Sequence, residues 1–257
     1  MPETIPLWPG QSADALPTLT WYPCRGADAD TPAVLVIPGG GYGMHGEHEG
    51  MPMADALNHD GFHAAVLLYR LAPDHHHPAM IHDAQRAMRL MRRRGWPRVG
   101  VVGFSAGGHL AATLTVHHDR FRAEEDDLAD TLPARPDATV LVYPVIDMAG
   151  APTHQGSRLN LLGEDRVNDA ELLDLLSAHR HVTADTPPSL VLHCRPDTVV
   201  DVANPLLWVE ACQKAGVPWE MYVSERGGHG TPWLYIKPEG DWFREISHAF
   251  LDRHLTT

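Results

Sequence analysis

Cysteine, lysine and long apolar runs are scarce in this chain of 257 residues, and each scarcity argues against a class of protein. The three cysteines lie far apart and form no CxxC pair, so neither a disulfide framework nor a zinc site is expected. Only two of the 20 basic residues are lysines and the formal net charge is -13, which disfavours a nucleic-acid partner. No apolar run reaches the length of a membrane span, and the N-terminus lacks a basic head followed by an apolar stretch. We therefore expect a cytoplasmic protein that binds neither membranes nor nucleic acids.

The alternation of strand and helix patterns predicts an α/β fold. With 44% hydrophobic residues the chain can build one large core, and we predict a single domain over residues 1–257. Short β-branched apolar segments alternate with longer segments bounded by proline and glycine, an order that produces a mostly parallel sheet with helices on both faces. The predicted strands are 19–22, 33–37, 62–69, 98–104, 138–143, 189–193 and 219–223, and the predicted helices are 51–59, 78–94, 109–118, 170–176, 205–215 and 242–254.

Residues 148–186 interrupt this alternation. They hold polar loop and one short helical patch, and we predict that they form an insertion over the sheet that shapes a substrate pocket. Beyond the insertion, Asn204 is the predicted N-cap of a helix that starts at Pro205 and ends before Gly216.

A nucleophile is predicted at Ser105, in the stretch Gly-Phe-Ser-Ala-Gly-Gly. A buried strand precedes this stretch and a helix follows it, so the serine lies in a sharp turn with its hydroxyl at the edge of the sheet. Small residues on either side let the backbone close the turn without clashing. The pattern alone is only moderately specific, and the strand before it and the helix after it supply its context.

A serine hydroxyl needs a histidine base and a carboxylate that orients the base. Among 18 histidines, His229 is the candidate base because it lies in a glycine-rich loop after a late strand, whereas His193 is expected to be a buried, hydrogen-bonded residue. Asp197 is the candidate acid, in the loop after strand 189–193. Asp201 is its rival, with the start of the next helix as its other role, and Asp147 is a weaker third candidate.

The oxyanion of an acyl-transfer reaction needs backbone N–H donors. One is expected on Ala106, directly after the nucleophile, and another in the glycine run after the first buried strand, on Gly40 or Gly41. Tyr42 and Trp233 are candidate substrate-binding residues, because both could contribute aromatic surface to a pocket.

Two clusters rich in histidine and glutamate invite a metal interpretation, at residues 45–49 and 75–82. Neither has the HExxH spacing that puts two ligands on one helical face. We interpret both as solvated loops, with Glu47 and Glu49 favoured near the N-terminus of the following helix. No metal and no cofactor is therefore predicted.

Several motifs together resemble the α/β-hydrolase fold esterases, both the hormone-sensitive-lipase-like type and the smaller bacterial acetyl esterases. The motifs are PGGGY at 38–42, YRLAP at 69–73, HPA at 77–79, DA at 83–84, GFSAGGHLA at 103–111 and GGHG at 227–230. Further motifs resemble the acetyl xylan esterase-like branch: LWP at 7–9, EHEG at 47–50, YPV at 143–145, GSR at 156–158, NLLG at 160–163 and TPP at 186–188. The resemblance covers nearly the whole chain.

The resemblance implies a triad of Ser105, Asp197 and His229 that hydrolyses small-molecule esters through an acyl-enzyme. It also implies a small acyl group, with acetyl favoured, and an acetylated sugar or xylo-oligosaccharide as a candidate substrate. Alternatives are a formamidase or amidase of the same fold, a feruloyl or longer-chain esterase, and a non-catalytic binding protein that keeps the fold.

Overall fold

The computed structural model of this protein describes residues 1–12, 15–230 and 239–256, apart from the side chains of 239 and 240. The strands in this part of the chain are β1 (Glu3–Pro6), β2 (Thr18–Tyr22), β3 (Ala33–Ile37), β4 (His63–Leu68), β5 (Val99–Phe104), β6 (Thr139–Val142), β7 (Ser189–Cys194) and β8 (Trp219–Ser224). They form one sheet in the order β1-β2-β4-β3-β5-β6-β7-β8. β2 pairs antiparallel with both β1 and β4, and the remaining neighbours, from β4-β3 through β7-β8, all pair parallel.

Helices cover both faces of the sheet. They are α1 (Met51–His59), α2 (Ala79–Arg93), α3 (Ser105–Val116), α4 (Gln155–Leu162), α5 (Ala170–Leu175), α6 (Ala203–Ala215) and α7 (Glu239–Leu255), with short 3-10 helices at Glu47–Glu49 and Ala178–His181. Buried side chains of α2, α3 and α6 belong to one core cluster, whereas those of α1 and α7 belong to a second cluster. The fold class predicted from the sequence is confirmed.

The central strand β3 shows why the sheet needs helices on both sides. All five of its residues are buried, because successive side chains of a strand point to opposite faces. Leu35 and Ile37 belong to the α2/α3/α6 cluster, and Val34 and Val36 belong to the α1/α7 cluster. Burial of each of these aliphatic side chains contributes about 1.5–3 kcal/mol. A continuous apolar strand therefore specifies a two-sided core.

The start of α6 differs from the prediction. The helix begins at Ala203 with Val202 as its N-cap residue, so the prediction that Asn204 caps it was wrong. The buried Asn204 amide is used in long-range contacts instead: its oxygen accepts from the N–H groups of Ile146 and Asp147, and its nitrogen donates to the carbonyl of Pro152. Gly216 ends the helix as predicted, with a left-handed φ of 73°.

The segment 148–186 contains more structure than the sequence pattern indicated. α5 occupies the predicted helical patch, but α4 and the 3-10 helix Ala178–His181 were not predicted. Gly156 and a mixed polar composition hide the helical period of α4, which is eight residues long.

Among the described residues, every helix is too short or too polar to cross a bilayer. The carboxyl ends of the parallel strands, with the loops that follow β3, β5, β7 and β8, lie at the same edge of the sheet. Ligands bind at this edge in open α/β sheets.

Candidate active site

Ser105 lies in the turn between β5 and α3, where the backbone is strained. Its φ is +50°, a left-handed value that non-glycine residues rarely adopt. The turn closes only because its neighbours are small. A Cβ on Gly103 would lie 2.4 Å from the carbonyl oxygen of Gly107, and a Cβ on Gly107 would lie 2.2 Å from the carbonyl oxygen of Ile37. This turn has the conformation of a nucleophile elbow.

His229 connects the serine to the acid. It lies in the loop after β8, with its Nε2 2.8 Å from Ser105 Oγ and its Nδ1 2.7 Å from Asp197 Oδ2. A carboxylate only accepts hydrogen bonds, so Nδ1 carries the proton and donates to Asp197. The Nε2 lone pair of the neutral ring then accepts the Ser105 hydroxyl. The structure thus brings together the three residues that the sequence predicted as base, acid and nucleophile.

Asp197 is held ionised by the loop around it. Its side chain is buried, its Oδ2 accepts from His229, and its Oδ1 accepts from the N–H groups of Val199 at 2.8 Å and Val200 at 3.0 Å. Burial raises the pKa of a carboxyl, but the hydrogen bonds from His229, Val200 and Val199 outweigh it and lower the pKa of Asp197. The carboxylate is therefore available to orient the imidazole at neutral pH.

The rival carboxylates have other partners. Asp201 Oδ1 accepts the N–H of Ala203 at 2.8 Å and so supports the start of α6. Asp147 is buried and accepts hydrogen bonds from Ala149, Gly150 and Ser177. His193 is fully buried and bonds through Nε2 to the carbonyl of Val200 at 3.1 Å. The two rival acids thus serve local structure.

Two of the predicted oxyanion donors, Gly40 and Gly41, line the same cavity as Ser105, and Ala106 follows Ser105 in α3. The carbonyl of Gly39 accepts the N–H of Gly46 at 3.0 Å, and the carbonyl of Gly40 accepts the N–H of Gly43 at 3.1 Å. In a trans peptide the C=O and the following N–H point in opposite directions, so the N–H groups of Gly40 and Gly41 face away from these bonds. Within the described residues, neither N–H donates to the protein, and the same is true of Ala106 in the first turn of α3.

A cavity of about 670 Å³ opens over these groups. Ser105, His229, Gly40 and Gly41 all line it. Three further imidazoles belong to its wall, those of His45, His48 and His154. Burial lowers the pKa of His45 to about 4, so this side chain is neutral at physiological pH.

His154 is a cavity residue that the sequence did not indicate. It caps α4, and its Nδ1 accepts the N–H of Ser157 at 3.2 Å, so the neutral ring carries its proton on Nε2. Burial and, to a lesser degree, the nearby His229 lower its pKa. From the same helix, Asn160 Nδ2 donates to the carbonyl of Gly41 at 2.8 Å. α4 thus contacts the glycine run and contributes a side chain to the cavity wall.

The two aromatic residues predicted to bind substrate have different outcomes. Tyr42 is fully buried, with its hydroxyl 2.7 Å from His109 Nδ1, and it does not line the cavity over Ser105. The structure thus corrects the prediction that Tyr42 binds substrate. The Nε2 of His109 donates to the carbonyl of Leu176, so its Nδ1 is an acceptor, and it accepts the Tyr42 hydroxyl within the core. Trp233 lies outside the described residues.

The prediction that Glu47 and Glu49 are solvated was correct only for Glu47. Glu49 is 4% exposed and accepts hydrogen bonds from the N–H of Gly39 and the hydroxyl of Tyr143. The only sequence signal that sets it apart is its place in the EHEG motif. For the metal interpretation, no group of three or more His, Cys, Asp or Glu side chains within the described ranges is arranged to hold an ion.

Comparisons with known proteins show which family the chain belongs to. A family model described as BD-FAE matches residues 19–210. The chain is 35% identical over 214 residues to endo-1,4-beta-xylanase B of Butyrivibrio fibrisolvens, covering 79% of this chain and 33% of that protein. It is 30% identical over 221 residues to an acetylxylan esterase of Xylanibacter ruminicola, covering 82% of this chain and 42% of that protein. The chain thus spans between a third and a half of the length of these two curated relatives.

A solved structure extends the similarity to the full chain. The acetyl ester-xyloside bifunctional hydrolase from Caldicellulosiruptor lactoaceticus superposes with a TM-score of 0.88 at 35% identity, covering 98% of this chain and 96% of that one. From the match over most of its length, together with its fold, this chain belongs to the BD-FAE family of α/β hydrolases.

Proposed function

We propose that this protein hydrolyses carboxylic esters through an acyl-enzyme formed on Ser105. The hydrogen-bonded series from Asp197 through His229 to Ser105 is the observation that carries the proposal. Each of these groups has one chemical role. Asp197 fixes the tautomer of His229, and His229 takes the serine proton through Nε2.

The first half of the reaction transfers the acyl group to the enzyme. Ser105 Oγ attacks the carbonyl carbon of the ester while His229 Nε2 takes the hydroxyl proton. The tetrahedral oxyanion accepts hydrogen bonds from the N–H groups of Ala106 and of Gly40 or Gly41. Each such donor contributes about 2.7–4 kcal/mol to the transition state. The intermediate then collapses, and the leaving alcohol takes its proton from Nε2.

The second half releases the acid. A water molecule attacks the acyl carbon while His229 Nε2 takes one of its protons, and the same N–H groups hold the second oxyanion. Collapse of this intermediate frees the carboxylic acid and returns the proton to Ser105 Oγ. The triad and the free N–H groups supply each step, so the proposed reaction uses no metal or cofactor.

The proposed substrate is a small acyl ester, with acetyl favoured, of a hydroxyl-rich alcohol such as a sugar. Two relatives support this choice, the acetylxylan esterase of Xylanibacter ruminicola and the acetyl ester-xyloside bifunctional hydrolase of Caldicellulosiruptor lactoaceticus. So does the cavity wall, where the imidazoles of His48 and His154 provide polar atoms for hydroxyl groups.

A panel of esters tests both parts of the proposal. We expect kcat/KM to fall in the order p-nitrophenyl acetate, butyrate, octanoate, and acetylated xylo-oligosaccharides to release acetate. An anilide of the same acyl group tests the amidase alternative. We expect Ser105→Ala to lower kcat by at least about 10⁴-fold while the protein stays folded. An active Ser105→Ala variant would contradict the mechanism, and faster hydrolysis of octanoate would contradict the small acyl group.

A further inference from the structure

Glu49 is a buried carboxylate that the proposed reaction does not use. It ends the 3-10 helix Glu47–Glu49, is 4% exposed and lines the cavity. Each of its oxygens accepts one hydrogen bond, and His48 Nε2 lies 3.6 Å from Oε1. Burial of a carboxylate costs much solvation free energy, so the groups that bind Glu49 indicate its role.

The first partner is the backbone of the glycine run. Glu49 Oε2 accepts the N–H of Gly39 at 2.6 Å, and the carbonyl of Gly39 accepts the N–H of Gly46 at 3.0 Å. Residues 46–49 therefore bind both polar groups of Gly39. Because the carbonyl of Gly39 and the N–H of Gly40 share one planar peptide, fixing the carbonyl also fixes the direction of the Gly40 N–H.

Gly39 lies close to both Glu49 and Ser105. A Cβ built on it would be 2.9 Å from Glu49 Oε2 and 2.8 Å from the Cβ of Ser105. The Glu49 carboxylate and the Cβ of Ser105 therefore both border the space that a side chain at this position would fill. A shift of Glu49 would therefore move the glycine run relative to the serine.

The second partner is the aromatic ring beside the catalytic imidazole. The hydroxyl of Tyr143 donates to Glu49 Oε1 at 2.7 Å, and the Tyr143 ring lies against the His229 ring with a centroid distance of 4.9 Å. Tyr143 is fully buried, and burial followed by the charge of Glu49 raises the pKa of its hydroxyl, which keeps it a donor. The hydroxyl thus fixes the ring against which His229 packs.

We propose that Glu49 is a positioning residue that joins the oxyanion-binding glycine run to the ring supporting His229. This inference rests on the proposed esterase function. One carboxylate sets two alignments at once: the direction of the Gly40 N–H through Gly39, and the place of the imidazole through Tyr143. Both matter more in the transition state than in substrate binding, because the oxyanion and the imidazolium exist only there.

Substitution of Glu49 should therefore lower kcat and leave KM nearly unchanged. For Glu49→Ala we expect a loss in kcat on p-nitrophenyl acetate of roughly 10- to 100-fold, with KM within about twofold. Inhibition by phenylboronic acid, whose tetrahedral adduct on Ser105 places an oxygen among the oxyanion donors, should weaken by a similar factor. Glu49→Gln should recover most of the activity, because its carbonyl accepts from Gly39 and its amide can donate to a rotated Tyr143 hydroxyl.

Two further variants separate positioning from stability. Asp83→Ala is the matched control, since Asp83 is a fully buried carboxylate bound by Arg70 and Trp8 and does not line the cavity. We expect it to lose stability but to keep the kcat of its folded fraction. Tyr143→Phe removes one of the two Glu49 contacts, and we expect it to lower kcat less than Glu49→Ala does. When the two substitutions are combined, we expect kcat to fall little further than in Glu49→Ala alone.

The outcomes distinguish this inference from the proposed function. A wild-type protein without esterase activity would overturn both. An active wild type would overturn the inference alone if Glu49→Ala kept kcat within twofold, if it changed only KM, or if Glu49→Gln lost as much as Glu49→Ala. If Glu49→Ala does not fold, Tyr143→Phe decides, and a kcat within twofold of wild type would overturn the inference.

Discussion

The tautomer of His229 is set by its two hydrogen bonds. Asp197 accepts the Nδ1 proton at 2.7 Å, which leaves the Nε2 lone pair directed at Ser105 Oγ at 2.8 Å. Asp197 is itself oriented by the N–H groups of Val199 and Val200, so its Oδ2 stays free for the imidazole. In the proposed mechanism, the reactivity of Ser105 thus depends on a carboxylate whose orientation the backbone fixes.

Asp197→Asn and Asp201→Asn form a matched pair that tests the assigned acid. An amide at position 197 can present its NH₂ to Nδ1 and stabilise the wrong tautomer, so we expect kcat to fall by about 10⁴-fold. An amide at position 201 keeps the oxygen that accepts the N–H of Ala203, so we expect kcat within about threefold of wild type. Steady-state kinetics on p-nitrophenyl acetate measures both. Equal losses in the two variants would be incompatible with Asp197 as the orienting acid.

The nucleophile turn depends on how closely three elements approach. The first turn of α3 packs against the end of β3, and α3 also packs against β5 at Gly103. No side chain fits at these crossings: a Cβ on Gly107 would lie 2.2 Å from the carbonyl oxygen of Ile37 and 2.3 Å from that of Pro38. The glycines of the motif are therefore required by packing between elements as well as by the turn itself.

Gly107→Ala tests this packing requirement. In an open helix the substitution would stabilise by about 1 kcal/mol, but here the methyl group meets two backbone carbonyls that cannot rotate away. We expect a loss of more than about 2 kcal/mol in the free energy of unfolding, measured by urea titration. Gly95→Ala is the control, since its φ is +82° but no atom lies within 4 Å of its added Cβ. A Gly107→Ala variant no less stable than the control would contradict the packing argument.

Across the whole molecule, buried neutral histidines make the stability of the fold depend on pH. Burial lowers the pKa of His45, His109 and His117 to about 4 and that of His77 to about 3. In the unfolded chain these groups have pKa values near 6.5. Between these limits the unfolded state binds more protons, so the free energy of unfolding falls as pH is lowered.

We therefore expect the free energy of unfolding to decrease from about pH 6.5 toward pH 4, before most carboxylates titrate. Urea unfolding at half-unit pH intervals measures the slope. His109→Gln should reduce it, because the amide cannot take up a proton while one of its two ends can still pair with Leu176 or Tyr42. A flat profile over this range would contradict neutral burial of these side chains.

Whether the sequence can predict a residue of the site depends on how far apart in the chain its interaction partners lie. Ser105 is recognisable because strand, turn and helix follow one another in sequence. The burial of Glu49 and Tyr42 is not recognisable in this way. Each is decided by a partner that is distant in the chain, Tyr143 for Glu49 and His109 for Tyr42. A loop rich in glycine, histidine and glutamate looks solvated until those partners are known.

The sequence by itself determined the α/β class and the strand-turn-helix around Ser105, and it predicted the order of the proposed nucleophile, acid and base, because apolar periodicity and turn residues act over short stretches. Only the tertiary structure decided that Asp197 Oδ2 binds His229, that the α4 N-cap residue His154 lines the cavity, and that Glu49 accepts the N–H of Gly39. These features depend on loops that meet at one edge of the sheet from distant positions in the chain. Their contacts are set by how the strands pair and not by the residues next to them.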